Sequence, residues 1–237
     1  LKIRAVIFDW AGTTVDKGSL APVRTLERVF IDAGVPILEE EARRDMGIAK
    51  RDHITALLAL PRVREEWAKK HGRAVQASDV DDLYQRFIPL QFECLKEYSQ
   101  VLSGVPEVTE QLRKRGVKIG STTGYTRAML DVLVAEAARQ GYAPDCSFSP
   151  EDAGAGRPHP FMIYAAAIRM QVYPMKAIVK IGDTVSDIEE GLNAGCWSVG
   201  VEGTGNCSGE VLKKAGAHFV IDSAADVMTV IDELESA

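Results

Sequence analysis

The hydrophobic pattern divides the chain into three parts. Ala5-Val6-Ile7-Phe8 is an unbroken apolar run, the pattern of a strand buried on both faces, and it stops at Asp9. From Ala21 to Gly34 the apolar residues Val23, Leu26, Val29 and Phe30 fall at helical spacing, with Gly34 as the stop. Between Leu38 and Gln100 strand patterns disappear. Helices are expected at 39–44, 51–60 and 63–71, then a longer one from Ser78-Asp79 that Pro89 kinks or divides. After Gly104 the two periods alternate. Strands are predicted at 117–121, 146–149, 177–181, 197–201 and 217–221, with helices at 106–115, 126–140, 160–170, 186–194 and 224–234. Such alternation predicts an α/β fold, a doubly wound parallel (Rossmann-like) sheet. Its core comprises residues 1–17 and 102–237, and residues 18–101 form an inserted α-helical cap domain.

Composition narrows the partners. The 237 residues are 46% hydrophobic and 26% charged, ordinary for a chain that buries a proper core. A net charge of −6 argues against a nucleic-acid surface, so any anion site must be local. No apolar run approaches the roughly 20 residues that span a bilayer, so no membrane partner is expected. Cys94, Cys146, Cys196 and Cys207 are scattered without metal-ligand spacing. They suit a reducing compartment, and the expected location is cytoplasmic. Nothing in the opening residues asks for a leader.

Polar residues stand at the ends of the predicted strands, where open α/β sheets bind ligands. Asp9 is followed by Gly12, Thr13 and Thr14; Ser121-Thr122-Thr123-Gly124 ends a second strand. Arg157 precedes a Pro-led helix, and Gly182-Asp183 is followed by Asp187 four residues on. Each alone reads equally as an Asx turn, a Ser/Thr turn, a surface charge or a helix cap. Together they supply a carboxylate nucleophile, phosphate-binding amides and hydroxyls, a guanidinium and paired acids suited to Mg²⁺. The chemistry they imply is phosphoryl transfer to a carboxylate.

Phe8-Asp9-Trp10-Ala11-Gly12-Thr13, Ser121-Thr122-Thr123-Gly124, Arg157 and Gly182-Asp183…Asp187 resemble, in order, the four motifs of the haloacid dehalogenase superfamily. Within it the motifs, and the segment Met46-Gly47-Ile48-Ala49-Lys50-Arg51-Asp52-His53, are similar to the phosphonatase family, whose members cleave the C–P bond of phosphonoacetaldehyde. Superfamily phosphatases carry a second Asp two positions after the nucleophile to protonate a leaving alkoxide, and this chain has Ala11 there. A departing carbanion needs an electron sink instead, and a lysine Schiff base on the neighbouring aldehyde provides one. The resemblance gives that task to Lys50, with the helix start and Arg51 keeping its amine neutral. His53, one turn on, would shuttle protons, or serve structure only.

The resemblance further implies that Asp9 forms an aspartyl phosphate and that Asp9, Asp183 and the Ala11 carbonyl bind Mg²⁺, oriented by Asp187. Thr123, Gly124 and Arg157 would hold a small-molecule phosphonate, with Tyr125, Met46 and Gly47 beside it, in a homodimer. Other readings are a Mg²⁺-dependent phosphomonoesterase or phosphomutase of the same superfamily, and a catalytically lapsed phosphate-binding protein. One departure stands out. The resembling family carries a longer segment between Val199-Gly200-Val201 and Ala217-His218-Phe219 than the short Gly-rich connection here. It bears on oligomer contacts and the cap-facing rim, not on the matched motifs.

Overall fold

The computed structural model describes residues 2–236. Six strands, β1 (Ala5–Phe8), β2 (Lys118–Thr122), β3 (Cys146–Phe148), β4 (Ile178–Gly182), β5 (Trp197–Val201) and β6 (Phe219–Ile221), form one sheet in the order β3-β2-β1-β4-β5-β6. Every pairing is parallel. Alternation buries both faces. Val6, Phe8, Val179 and Ile181 join one apolar cluster, while Ile7 and Ile178 meet Ile163, Ala166 and Met170 on the other side. The chain winds one way through β2 and β3, then returns to place β4 on the opposite side of β1. The crevice at this reversal receives Asp9 from β1 and Asp183 from β4.

Six helices separate β1 from β2, and the first five form the helical segment: α1 (Leu20–Asp32), α2 (Glu39–Arg44), α3 (Lys50–Ala59), α4 (Pro61–His71) and α5 (Ala77–Glu97). They pack mainly through α1 and α3 against α5, burying Leu26, Phe30, Ile54, Leu57, Leu83 and Phe87. Of the two outcomes expected at Pro89, division is excluded: α5 runs on through that residue as one helix. Pro89 and Gln85, whose carbonyl loses its partner, both lie on the exposed side, where water can accept the loss. The helix also begins earlier than expected. Gln76 is the cap, and Asp79 in the first turn accepts its backbone N–H at 2.8 Å.

The two crossings between sheet and helices run side by side. Asp16 N–H donates to Gln100 O, and Leu102 N–H to Thr14 O. Asp16 adopts a left-handed φ of 52° and its carboxylate accepts the N–H groups of Leu20 and Ala21, fixing the start of α1. Burial pushes its carboxyl up to about 6.

The remaining helices are α6 (Val105–Lys114), α7 (Arg127–Arg139), α8 (Pro150–Ala153), α9 (Phe161–Met170), α10 (Val185–Ala194), α11 (Gly209–Lys214) and α12 (Val227–Ser236). The short α8 and α11 carry too few turns to show a helical period in the sequence. Among the described residues no helix is long and apolar enough to cross a membrane.

Candidate active site

Asp9 leaves the end of β1 with its N–H bonded to Ile181 O, so the backbone of β4 fixes where its carboxylate points. Asp183, fully buried, accepts from Thr13 Oγ1 at 3.0 Å and from Asn206 N–H at 2.8 Å. Gly12 makes this approach feasible. It has φ +85°, and a Cβ there would lie 2.3 Å from the Asp183 carboxylate. Asp187 sits in the first turn of α10, in a reciprocal cap with Thr184, whose hydroxyl lies 2.5 Å from Asp187 Oδ2. Asp187 thus takes part in the helix cap that the sequence allowed as its alternative reading.

Oxygens of Asp9, Asp183 and Asp187 lie within 4.8 Å of one another. Burial, then the neighbouring carboxylates, push Asp9 and Asp183 upward. Burial acts the same way on Asp187, but Arg157 and Lys180 outweigh it and hold that carboxyl below the usual range. Asp9 and Asp183 thus form an all-oxygen, under-compensated pair, which fits a hard divalent cation such as Mg²⁺. The Ala11 carbonyl borders the same space and accepts from Ser19 Oγ at 3.0 Å.

Arg157, 5% exposed, donates from Nη2 to Asp9 Oδ1 at 2.6 Å and from Nε to Glu190 Oε2 at 3.0 Å, and pairs with Asp187 at 3.0 Å. Its guanidinium therefore orients the Asp9 carboxylate as well as bordering the cavity. Ser121 bonds Trp10 and Thr122 bonds Glu190, both turned inward, while Thr123 and Gly124 border the cavity.

The loop between α2 and α3 closes over this group. Gly47 O lies 3.4 Å from Arg157 Nη1, and Met46 O accepts from Ser186 Oγ at 3.1 Å. A Cβ on Gly124 would sit 2.5 Å from Ile48 O, so the two backbones touch only because that residue is glycine. Met46, Gly47, Lys50 and Tyr125 share one cavity with Asp9, Ala11, Thr123, Gly124 and Arg157. Lys50 opens α3 and is 5% exposed, with Nζ 5.3 Å from the Tyr125 ring centre. Burial pulls its amine down to about 8, assisted by Arg157 and opposed by Asp9. Arg51 does not share in this, contrary to the sequence expectation, because it pairs with Asp81 at the exposed side of α3. His53 lies fully buried behind Lys50, outside the residues bordering the cavity, with neither ring nitrogen hydrogen-bonded. Burial, with the Lys50 charge, lowers it to about 3 and keeps the ring neutral.

Three neighbours of the candidate site had no role in the sequence reading. Lys180, 1% exposed, pairs with Asp187 at 2.8 Å and Glu190 at 3.5 Å. A lysine within the apolar run Ile178-Val179-Lys180-Ile181 is itself a signal, since that burial demands a partner. Glu190 lies three residues after Asp187, on the same side of α10. Asn206 comes from the Gly-rich connection and had no detectable signature.

Residues 3–195 match the haloacid dehalogenase-like hydrolases. The chain belongs to that family and is an enzyme. It is 45% identical to a phosphonoacetaldehyde hydrolase of Bacillus cytotoxicus and 44% to one of Bacillus cereus, each over 99% of this chain and 97% of the relative. A phosphonoacetaldehyde hydrolase-like protein from Oleispira antarctica superposes with a TM-score of 0.96 at 36% identity, covering 100% of this chain and 94% of the other. These similarities place the chain in the phosphonoacetaldehyde hydrolase group of the family. The Bacillus alignments span 257 positions, more than the 237 residues here, so those relatives carry segments this chain lacks.

Proposed function

We propose that this enzyme hydrolyses the C–P bond of phosphonoacetaldehyde, giving acetaldehyde and phosphate. The observation that carries the reading is Lys50, a buried amine from the helical segment bordering the same cavity as Asp9. Neutral Lys50 attacks the aldehyde carbon, and loss of water leaves a protonated imine. Asp9 then attacks phosphorus; the C–P electron pair moves into the imine and forms an enamine. Protonation at carbon and hydrolysis release acetaldehyde and restore Lys50, while a second water cleaves the aspartyl phosphate. Neutral His53, one turn along α3, would relay protons during imine formation.

Asp9, Asp183 and the Ala11 carbonyl would hold Mg²⁺, which supplies positive charge to the phosphoryl oxygens. Asp187 suits an orienting role from behind, because both its oxygens already meet Lys180, Arg157 and Thr184. Thr123, Gly124 and Arg157 would bind the phosphonate, with Met46, Gly47 and Tyr125 around the aldehyde. Residues 18–101 act as a cap in this reading. The cavity measures about 20 Å³, room for about one water, so its walls, which include Met46 and Gly47, would move apart to admit substrate.

Phosphate and acetaldehyde are expected in equal amounts from phosphonoacetaldehyde, with turnover abolished by EDTA and restored by Mg²⁺. A monoester such as p-nitrophenyl phosphate should react at least about 100-fold more slowly, because Ala11 supplies no acid for its leaving oxygen. Comparable turnover of the monoester would favour the phosphatase reading, and Mg²⁺-dependent binding without phosphate release the lapsed one.

The reading includes a homodimer. Phe161, Tyr164 and Ile168 leave an exposed apolar stripe on α9, beside exposed Tyr173, which supports a second copy there. Sedimentation should show a two-chain species; a monomer at micromolar concentration would end this part of the proposal.

A further inference from the structure

The connection from β5 to α11, shorter here than the resembling family carries, touches four parts of the site at once. Thr204 Oγ1 donates to Gly12 O at 2.8 Å, and Thr204 O accepts from Gly18 N–H at 2.8 Å, at the crossing into the helices. Gly205 packs so closely on Asp183 that a Cβ there would lie 2.2 Å from the Asp183 Cβ. Asn206 N–H donates to Asp183 Oδ2 at 2.8 Å, and Cys207 N–H to Asp183 O at 3.1 Å. The Asn206 side chain turns the other way. Its Oδ1 accepts from Arg43 Nη1 at 2.9 Å, and its Nδ2 donates to Arg43 O at 3.1 Å. Arg43 lies in the last turn of α2, and the same Nη1 reaches Gly18 O at 2.7 Å.

We propose that Asn206 is a positioning residue that couples docking of α2 on the core to the placement of the Asp183 carboxylate, and so to divalent-cation affinity. One residue grips the helical segment with its side chain and Asp183 with its backbone. When α2 is docked, the two Arg43 bonds hold the 203–207 loop, and the Asn206 amide stays aimed at Asp183 Oδ2. When α2 lifts away, that loop loses its outer anchor and Asp183 one of its two short hydrogen bonds. The coupling is reciprocal: a cation favouring the held carboxylate also favours the docked helix. This inference rests on the metal site proposed above.

The test measures Mg²⁺ binding to the whole chain by calorimetry, without substrate. Asn206→Ala and Arg43→Ala should each weaken binding about tenfold, as loss of a residue behind a metal ligand does. The double variant should add little, since both changes cut one link. Arg43→Lys, which keeps a cation in reach of Gly18 O and Asn206 Oδ1, should recover most of the affinity. Arg62→Ala is the control, because Arg62 braces α2 through Glu41 without meeting Asn206. If the unchanged enzyme binds no Mg²⁺, the metal reading itself fails. If it binds and both alanine variants match it within about twofold, or Arg62→Ala loses as much as they do, the coupling assigned to Asn206 is overturned.

Discussion

Changing Lys50 to arginine should leave the fold and Mg²⁺ binding intact and lower turnover of phosphonoacetaldehyde by at least about 10³-fold, roughly 4 kcal/mol of barrier. Arginine keeps the positive charge, but its guanidinium stays protonated and cannot form an imine. Attack by Asp9 alone would then have to expel the acetaldehyde enolate, a much poorer leaving group than the neutral enamine formed from a protonated imine. The site favours the reaction at Lys50 because burial pulls the amine down to about 8. At pH 7 about a tenth is neutral, against less than about a thousandth for an ordinary lysine. The sign follows: kcat/KM should rise with pH toward about 8 and level off above it, since only the neutral amine attacks. Borohydride added with substrate should leave a two-carbon adduct on Lys50, visible by mass spectrometry. An adduct elsewhere, or substantial activity in Lys50→Arg, would remove the Schiff base from the mechanism.

The second large effect is on stability. Lys180→Met should destabilise the metal-free protein by about 3–5 kcal/mol, because it strands buried Asp187 and Glu190 beside a single remaining cation, Arg157. For a chain of this size that lowers Tm by roughly 6–20 °C. The pH dependence has a definite sign. Arg157 and Lys180 hold Asp187 below its ordinary range in the folded state. Stability from that depression is present above the unfolded carboxyl value, about 4, and is lost as pH falls through the folded value. The gap between Lys180→Met and the unchanged protein should therefore be widest near neutrality and narrow in acid. Adding Glu190→Gln should recover part of the loss, since one stranded charge disappears. Calorimetric melting in EDTA measures all three proteins, and a Lys180→Met melting temperature within about 2 °C of the original would contradict this account of the cluster.

Much of the architecture was legible because it is written locally. β1 and β5 fall where their apolar runs predict them, and α2 spans the residues its acidic-to-basic pattern marks. Other boundaries shift by one to three residues, since ends depend on caps and pairing partners more than on period. That Pro89 does not divide α5 was not legible, because the breaking rule is local, while exposure of Pro89 and Gln85 depends on how the helices pack.

The sequence by itself determined the β/α alternation, the helical insertion, and the acids, hydroxyls and glycines at the strand ends. Those features follow from backbone period and from residues adjacent in the chain. Only the tertiary structure decided that Lys50 closes on Asp9 across the crevice, that His53 stays behind it, and that Arg157 and Lys180 share three buried carboxylates. It alone brought Asn206 between Arg43 and Asp183. Each of these joins residues far apart in sequence, and a charge's behaviour is set by the burial and partners around it. Neither leaves a period or a spacing along the chain to be read.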